Sequence, residues 1–461
     1  MAKQLDIISP SDGSIVATRT LASCAEVAQV LQNCQAAQQT WRASSVQARA
    51  AYCTKAVDWL LAHRHELGVE ISQQMGRPIQ YAASEIDAVR ERAQYMIEVA
   101  GQALKDIPLA AKPGFRRFIR PTPLGTVLVI APWNYPYLTA VNAIIPALMA
   151  GNCVLLKHSA QTLLCSERFA QAFAAAKLPA GVFQYVHVDH EQTAKLVQEP
   201  AINYISFTGS VAGGRAMEKS AAGLFKSLAL ELGGKDAAYV RHDAQLDTAV
   251  ASLVEGAFFN SGQSCCGIER IYVHEAVYPE FLTKFVALTK KQVLGDASQA
   301  DTSLGPMVNA QACRLAHEQV AAARQLGAVL HICAEDFPLP EGDCYFAPQV
   351  LTQVNHQMAI MTQESFAPVV GIMPVSDDLA AVALINDSAY GLTASLWSRD
   401  MAACIELGEQ INVGTVFMNR CDYLDPALAW VGVKDSGRGC SLSHLAYQML
   451  TRPKSFHLKV L

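Results

Sequence analysis

The feature that most constrains how this chain can fold is a repeating beat of short apolar runs. They are TVLVIAP (126–132), NCVLLKH (152–158), VFQYVHV (182–188), INYISFTG (202–209) and SLALEL (227–232), with alanine-rich helical stretches between them. A run that is apolar at consecutive positions describes a strand covered on both faces, and helical crossovers between such strands make a parallel sheet. A second series follows in ERIYVHEAV (269–277), AVLHIC (328–333), VVGIMPV (369–375), LTASLWS (392–398) and GTVFMN (414–419), interleaved with helical stretches such as 278–293. The chain therefore reads as α/β, with two sheet-and-helix domains in succession.

The flanks read differently. Within the first hundred residues Val27, Val30, Leu31 and Cys34 recur at helical spacing, and Ser44 or Ser45 can cap a second helix carrying Val57, Leu60 and Leu61, with Gly76 and Pro78 as stop signals. GFRRFIRPTP (114–123) reads as an exposed strand in need of a partner, and the tail KSFHLKVL (454–461) as a last strand. At 461 residues and 51% hydrophobic, the chain has room for two or three domains. A charged fraction of 17% suggests that part of the surface is covered by a second copy, so a homo-oligomer is expected.

With 36 Lys+Arg against 41 Asp+Glu, the net charge of −5 gives no electrostatic reason to bind nucleic acid or an anionic membrane. The opening MAKQLDIISPSDGS lacks the apolar core of a secretory signal, and no apolar run approaches membrane-spanning length, so the expected location is cytoplasmic. Thirteen scattered cysteines without zinc-type spacing argue against a disulfide framework or a metal site.

Four segments can carry chemistry. FNSGQSCCG (259–267) sets Cys265 and Cys266 in a polar, glycine-containing turn; such a pair ordinarily packs in a core, but a loop thiol near backbone N–H groups can act as a nucleophile. ELGGKD (231–236) ends an apolar strand on Glu231, a costly place for a carboxylate unless it is paired or serves as a base. Asn134, in IAPWNYP (130–136), is either a turn former or a donor to a developing oxyanion. FTGSVAGG (207–214) offers a glycine turn and a helix start to phosphate but does not match the dinucleotide fingerprint GxGxxG.

Taken in order, PWN (132–134), the strand ending in Lys157, FTGS (207–210), ELGG (231–234), GQSC (262–265), ESFAPV (364–369) and KDSGRG (434–439) resemble the aldehyde dehydrogenase superfamily over nearly the whole chain. The resemblance implies a Rossmann-like dinucleotide-binding domain (1–103 and 123–233), a second α/β catalytic domain (234–445), and a small β oligomerisation arm (104–122 and 446–461). It implies NAD or NADP as cofactor, a small-molecule aldehyde as substrate, and a homodimer or homotetramer. It makes Cys265 the nucleophile, Glu231 the base that activates water, and Asn134 an oxyanion donor. The cofactor would meet Trp133, Lys157, Ser159, Gly209, Ser210, Gly214, Leu232, Gly233, Glu364 and Phe366. Tyr137, Phe258, Trp430 and Arg420 are expected along the substrate tunnel, with Arg420 and Asp422 placed to meet a charged tail such as that of a semialdehyde.

Three departures from the family pattern stand out. Ala160 replaces a glutamate that would repel a 2′-phosphate, which leaves His158, Ser159 or Gln161 as possible phosphate contacts and the coenzyme preference open. Cys440 and Ser441 replace an Arg-Glu pair, and Ala367 replaces a glycine. Two rival readings are a coenzyme-A-acylating aldehyde dehydrogenase, against which Glu231 argues, and a non-catalytic dinucleotide-binding relative.

Overall fold

The computed structural model describes residues 3–460. Three sheets organise it. The first has six strands in the order Gly437–Arg438, Ser227–Glu231, Ile202–Thr208, Thr126–Ala131, Cys153–His158 and Phe183–Tyr185. All its pairings are parallel except that of Gly437–Arg438, which lies antiparallel to Ser227–Glu231. The chain lays down three strands outward from Thr126–Ala131, returns, and adds two more on the other side. This is the doubly wound, Rossmann-like order, whose ligand crevice lies at the carboxyl ends of the strands where the direction reverses. Those ends run into Pro132–Trp133–Asn134 on one strand and Gly209–Ser210 on its neighbour.

The second sheet has seven strands, in the order Val329–Leu330, Gln349–Thr352, Val369–Val375, Ile268–His274, Asp236–Val240, Thr393–Trp397 and Thr415–Met418. All pair in parallel except the edge strand Val329–Leu330. Two apolar clusters cover its faces, one around Leu351, Leu396 and Met361, the other around Phe281, Phe285 and Trp397. The chain passes from the first sheet to the second through Leu232–Lys235, so ELGG lies at the seam between them.

The third sheet is the expected exposed strand with its partner: Phe115–Pro123 lies between Ile107–Pro108 and Thr451–Lys459, antiparallel to both. Phe118 stacks on Phe456 with ring centroids 4.5 Å apart.

Three expectations about elements need correction. The opening is not all helical, because Gln4–Ile8 and Ile15–Thr20 form a hairpin before the helix Cys24–Trp41. The strand Asp236–Val240, central to the second sheet, was absent from the expected series; DAAYV has weak strand propensity and is held by its two neighbours. Gln349–Thr352 was absent as well. By contrast, Ser45 caps the helix Val46–Ala62, and Gly76 closes Arg64–Met75 in the left-handed conformation. Among the described residues no helix is long and apolar enough to cross a membrane.

Candidate active site

Cys265, Glu231 and Trp430 line one cavity of about 380 Å³, with Arg92, Tyr135, Leu138, Asn142, Phe259, Arg420 and Asp422 among its other walls. It opens where the two large sheets meet. Glu231 arrives at the end of its strand, and Cys265 on the turn that follows the helix Leu246–Phe258.

The turn that presents Cys265 is built under constraint. Asn260 and Ser261 both adopt the left-handed conformation, and Gly262, at φ +69°, abuts the Ala367 carbonyl so closely that a Cβ there would collide with it. Among the described residues, the Cys265 backbone N–H has no protein acceptor, which leaves it free for an incoming oxygen. The adjacent thiols differ. Cys266 is buried and donates to Asp422 Oδ1 at 2.9 Å, and its interaction with Cys265, in which the protonated Cys266 is the donor, together with burial pushes its pKa well up. A thiol held in its protonated form is a poor nucleophile; Cys265 is the more accessible of the two.

Asn134 is 4% exposed and donates one side-chain N–H to the Gln263 carbonyl at 3.2 Å, leaving its second without a protein acceptor. Its backbone carbonyl accepts from Arg77 and from Asn260 Nδ2 at 3.3 Å. Arg77 forms a buried ion pair with Glu85, and Glu85 accepts from the N–H groups of Tyr137 (2.8 Å) and Leu138 (2.9 Å) at the start of the helix Pro136–Met149. Thus one buried network, Arg77–Glu85–Asn260–Gln263, locks the Asn134 loop to the Cys265 turn. Sequence reasoning missed all four residues. The available signal was an Arg and a Glu eight positions apart, on either side of a short PIQYAAS segment.

Glu231 is half-buried. Burial raises its pKa, while hydrogen bonds from Ser441 and Thr208 and the charge of Arg92 lower it. Ser441, one of the two residues that depart from the expected Arg-Glu pair, donates to Oε1, and Thr208 donates to Oε2 at 3.3 Å. Ser441 is itself fixed by a two-way backbone bridge to Trp430.

Around the crevice of the first sheet the expected cofactor residues fall into three groups. Lys157 is buried at a strand end with no carboxylate in ion-pair contact among the described residues, and burial lowers its pKa. Ser210 caps the helix Val211–Ala221 by accepting from the Gly213 N–H at 3.1 Å, Gly209 lies beside it, and Gly214 packs against Leu232 with no room for a Cβ. At the seam, a Cβ on Gly233 would collide with the Glu364 carboxylate, which accepts from the Gly234 N–H at 3.0 Å. Burial, with repulsion from Glu269, pushes Glu364 up to about 7. Glu269 pairs with the buried Lys235 and accepts from the N–H groups of Ser365 (2.8 Å) and Phe366 (2.9 Å), which sets the loop. Phe366 meets Trp133 edge-on at 5.6 Å.

The structure moves several residues from their expected places. Tyr137 does not reach the cavity: it is fully buried against Phe169, because the helix Pro136–Met149 turns that face inward. Phe258 is likewise a core residue packed on Phe285, and the tunnel wall is supplied by Tyr135 and Phe259 instead. Arg420 does line the cavity but is exposed, with its guanidinium 3.4 Å from the centre of the Tyr423 ring. Asp422 faces Ser264 and Cys266, not the mouth. His158 is closed to a phosphate, since both ring nitrogens are engaged, with the Pro136 carbonyl and Thr162, and burial brings its pKa down to about 4. Gln161 is spent on the carbonyls of Ile8 and Gln74. Of the three possible phosphate contacts only Ser159 stays open. No cluster of three or more His, Cys, Asp or Glu side chains able to hold a metal occurs among the described residues.

The chain is similar to known proteins over nearly its whole length. The profile described as "Aldehyde dehydrogenase family" matches residues 1–456. An aldehyde dehydrogenase of Paenarthrobacter nicotinovorans is 34% identical over 440 residues, 95% of each chain. An NAD(P)+ succinate semialdehyde dehydrogenase of Escherichia coli strain K12 is 31% identical, covering 95% of this chain and 94% of that protein. The crystal structure of succinic semialdehyde dehydrogenase from Streptococcus pyogenes with NADP+ superposes with a TM-score of 0.94 at 25% identity, covering 99% of this chain and 100% of that one.

Proposed function

The chain belongs to the aldehyde dehydrogenase family and oxidises an aldehyde to its acid with NAD or NADP; from that premise we propose that Cys265 is the nucleophile, Glu231 the base and Asn134 an oxyanion donor. The supporting observation is the cavity itself: Cys265 and Glu231 share it, and although Asn134 is not among the residues that line it, its side chain is tied to the Gln263 carbonyl two positions before Cys265.

The Cys265 thiolate adds to the aldehyde carbon, and the new alkoxide is received by the Asn134 amide and the Cys265 N–H. Each such donor lowers the barrier by about 3–4 kcal/mol. NAD(P)+, when bound, supplies the acceptor for the hydride whose loss turns the thiohemiacetal into a thioester. Glu231 then takes a proton from water as the water attacks the thioester, and Cys265 leaves as thiolate with the acid as product. Hydrolysis needs a base in the cavity, which Glu231 supplies; transfer to coenzyme A is not favoured, since the names of the relatives carry NAD(P)+ or no cosubstrate and none carries coenzyme A.

The crevice fits a dinucleotide. Lys157 is a buried cation in search of hydroxyl or phosphate oxygens, Gly209, Ser210 and Gly214 begin a helix at the strand ends, and Gly233 leaves the gap into which Glu364 reaches. Within it Lys157 and Ser159 would hold the adenosine ribose, Glu364 the nicotinamide ribose, and Trp133, Leu232 and Phe366 the walls. With Ala160 in place of a glutamate, that group's repulsion of a 2′-phosphate is missing, so the site is open to both coenzymes. We assign residues 1–103 and 123–233 to dinucleotide binding, 234–445 to catalysis, and 104–122 with 446–461 to a homo-oligomeric arm in a cytoplasmic protein. The exposed Ile107 and Leu458 on the third sheet, with Leu109 just past its edge strand, support the arm. The aldehyde is of the semialdehyde type, as in the succinate semialdehyde relatives.

The test is a rapid-mixing experiment on Glu231→Gln. One equivalent of reduced coenzyme should form in a burst, followed by a stall with the acyl group on Cys265, located by mass spectrometry. Full steady turnover by the variant, or label on Cys266, refutes the assignment.

A further inference from the structure

Two cations, Arg92 and Arg420, line the cavity; Arg92 is the buried one, and it has no carboxylate within ion-pair distance among the described residues. Arg92 occupies the buried stripe of the helix Ser84–Ala103, in phase with Ile86, Val89, Ala93, Met96 and Ala100. It is 7% exposed, and its one side-chain hydrogen bond runs from Nη1 to Asn142 Oδ1 at 3.3 Å. Arg77, by contrast, is paired to Glu85 in the same region. A guanidinium carries five N–H donors in a rigid fork, so four are left without a protein acceptor, and Arg92 lines the cavity that holds Cys265 and Glu231. Its unpaired N–H groups are therefore not sealed in the core but open to the cavity, where a ligand can complete them.

The character of that ligand follows from the surroundings. Glu91, Glu231, Glu255 and Asp422 line the same cavity, so a dianion is opposed more strongly than a monoanion, and the attraction for an anion is confined to direct contact with the Arg92 fork. A planar fork matches a carboxylate in two parallel hydrogen bonds. Arg420, the other cation in the wall, is exposed and stacked on Tyr423, where solvent screens it. We propose that Arg92, positioned by Asn142, binds the distal carboxylate of the substrate and selects ω-carboxy aldehydes over uncharged ones. This rests on the reading of Cys265 as the nucleophile in the same cavity.

The experiment compares kcat/KM for ω-carboxy aldehydes of graded length with kcat/KM for their methyl esters, in wild type, Arg92→Gln, Arg92→Lys and Arg420→Gln, with NAD+ or NADP+ saturating. The wild type should prefer the acids. Arg92→Gln should cut the acid-to-ester ratio by about 10- to 100-fold, the range expected for hydrogen bonds to a charged partner, mainly through KM, and Arg92→Lys should fall between. A structural role alone would depress both substrates together and leave the ratio intact, which would overturn the proposal. So would a ratio lost in Arg420→Gln but kept in Arg92→Gln, or a wild-type preference for a phosphate-terminated aldehyde over the carboxylate.

Calorimetric titration of the enzyme–coenzyme complex with the matching dicarboxylate and its monomethyl ester reads the same subsite without turnover. Discrimination that is present in wild type and lost in Arg92→Gln supports the proposal even if aldehyde oxidation fails, a failure that would instead count against Cys265. Equal binding of diacid and monoester by the wild type would overturn it.

Discussion

Ser441→Ala removes a hydroxyl that donates to the Glu231 carboxylate, and its effect can be worked through. Burial raises the Glu231 pKa, and the Ser441 hydrogen bond is the largest influence opposing that rise, ahead of Thr208 and Arg92. A hydrogen bond donated to a charged group is worth about 1.5–3 kcal/mol, and one pKa unit corresponds to about 1.4 kcal/mol. Thr208 still donates to the other oxygen, and solvent reaches the half-buried carboxylate, so we expect an upward shift worth the lower end of that energy. The sign is fixed by the donor: it favours the ionised form, so its removal favours the proton. Because the base works only when ionised, the acid limb of deacylation should move to higher pH, with about a tenfold loss of rate at any pH on that limb. The assay is release of acid from an acyl-enzyme formed in a burst, followed across pH. The burst amplitude reports whether Cys265 is still acylated. An acid limb that stays in place, or moves to lower pH, refutes the account of Ser441 as the residue that positions the base.

Further expectations concern the seam and the buried network. Glu364 has its pKa pushed to about 7 by burial and by Glu269, whereas in an unfolded chain it would lie at about 4.3. Between those values the native state keeps a proton that the unfolded state has lost, so stability falls as pH rises through the window. Glu364→Gln should therefore gain about 1–2 kcal/mol in urea unfolding of the coenzyme-free protein at pH 8, after allowance for solvent screening, and little at pH 4; equal gains at both pH values would contradict this. The same variant should raise KM for NAD(P)+. Arg77→Met breaks the buried pair with Glu85 and should cost about 3–5 kcal/mol, seen as a lower urea midpoint, together with a loss of kcat as the Asn134 loop loosens. A cost below about 1 kcal/mol would show that the network does not hold the loop.

Much of this protein was legible from its one-dimensional pattern, because burial on both faces and short crossovers leave a periodic trace. The five runs from 126 to 232 became strands of the first sheet, and the exposed segment 114–123 found its partner in the tail. The order of short motifs brought Cys265 and Glu231 to attention before any geometry was known. Where local preference is weak, the pattern was silent: DAAYV becomes the middle of the second sheet only because neighbours on both sides supply its hydrogen bonds.

Orientation was likewise beyond the sequence. Tyr137 and Phe258 are aromatic and close to the motifs, yet helix phase turns both into the core, while Tyr135 and Phe259, each one or two positions away, face the cavity. Arg92 lies 173 positions before Cys265, on a helix whose apolar rhythm hides it. Composition and periodicity determine which segments must be covered; only packing decides which side chain is left facing the cavity with a charge it cannot neutralise, since that depends on contacts between residues far apart in the chain.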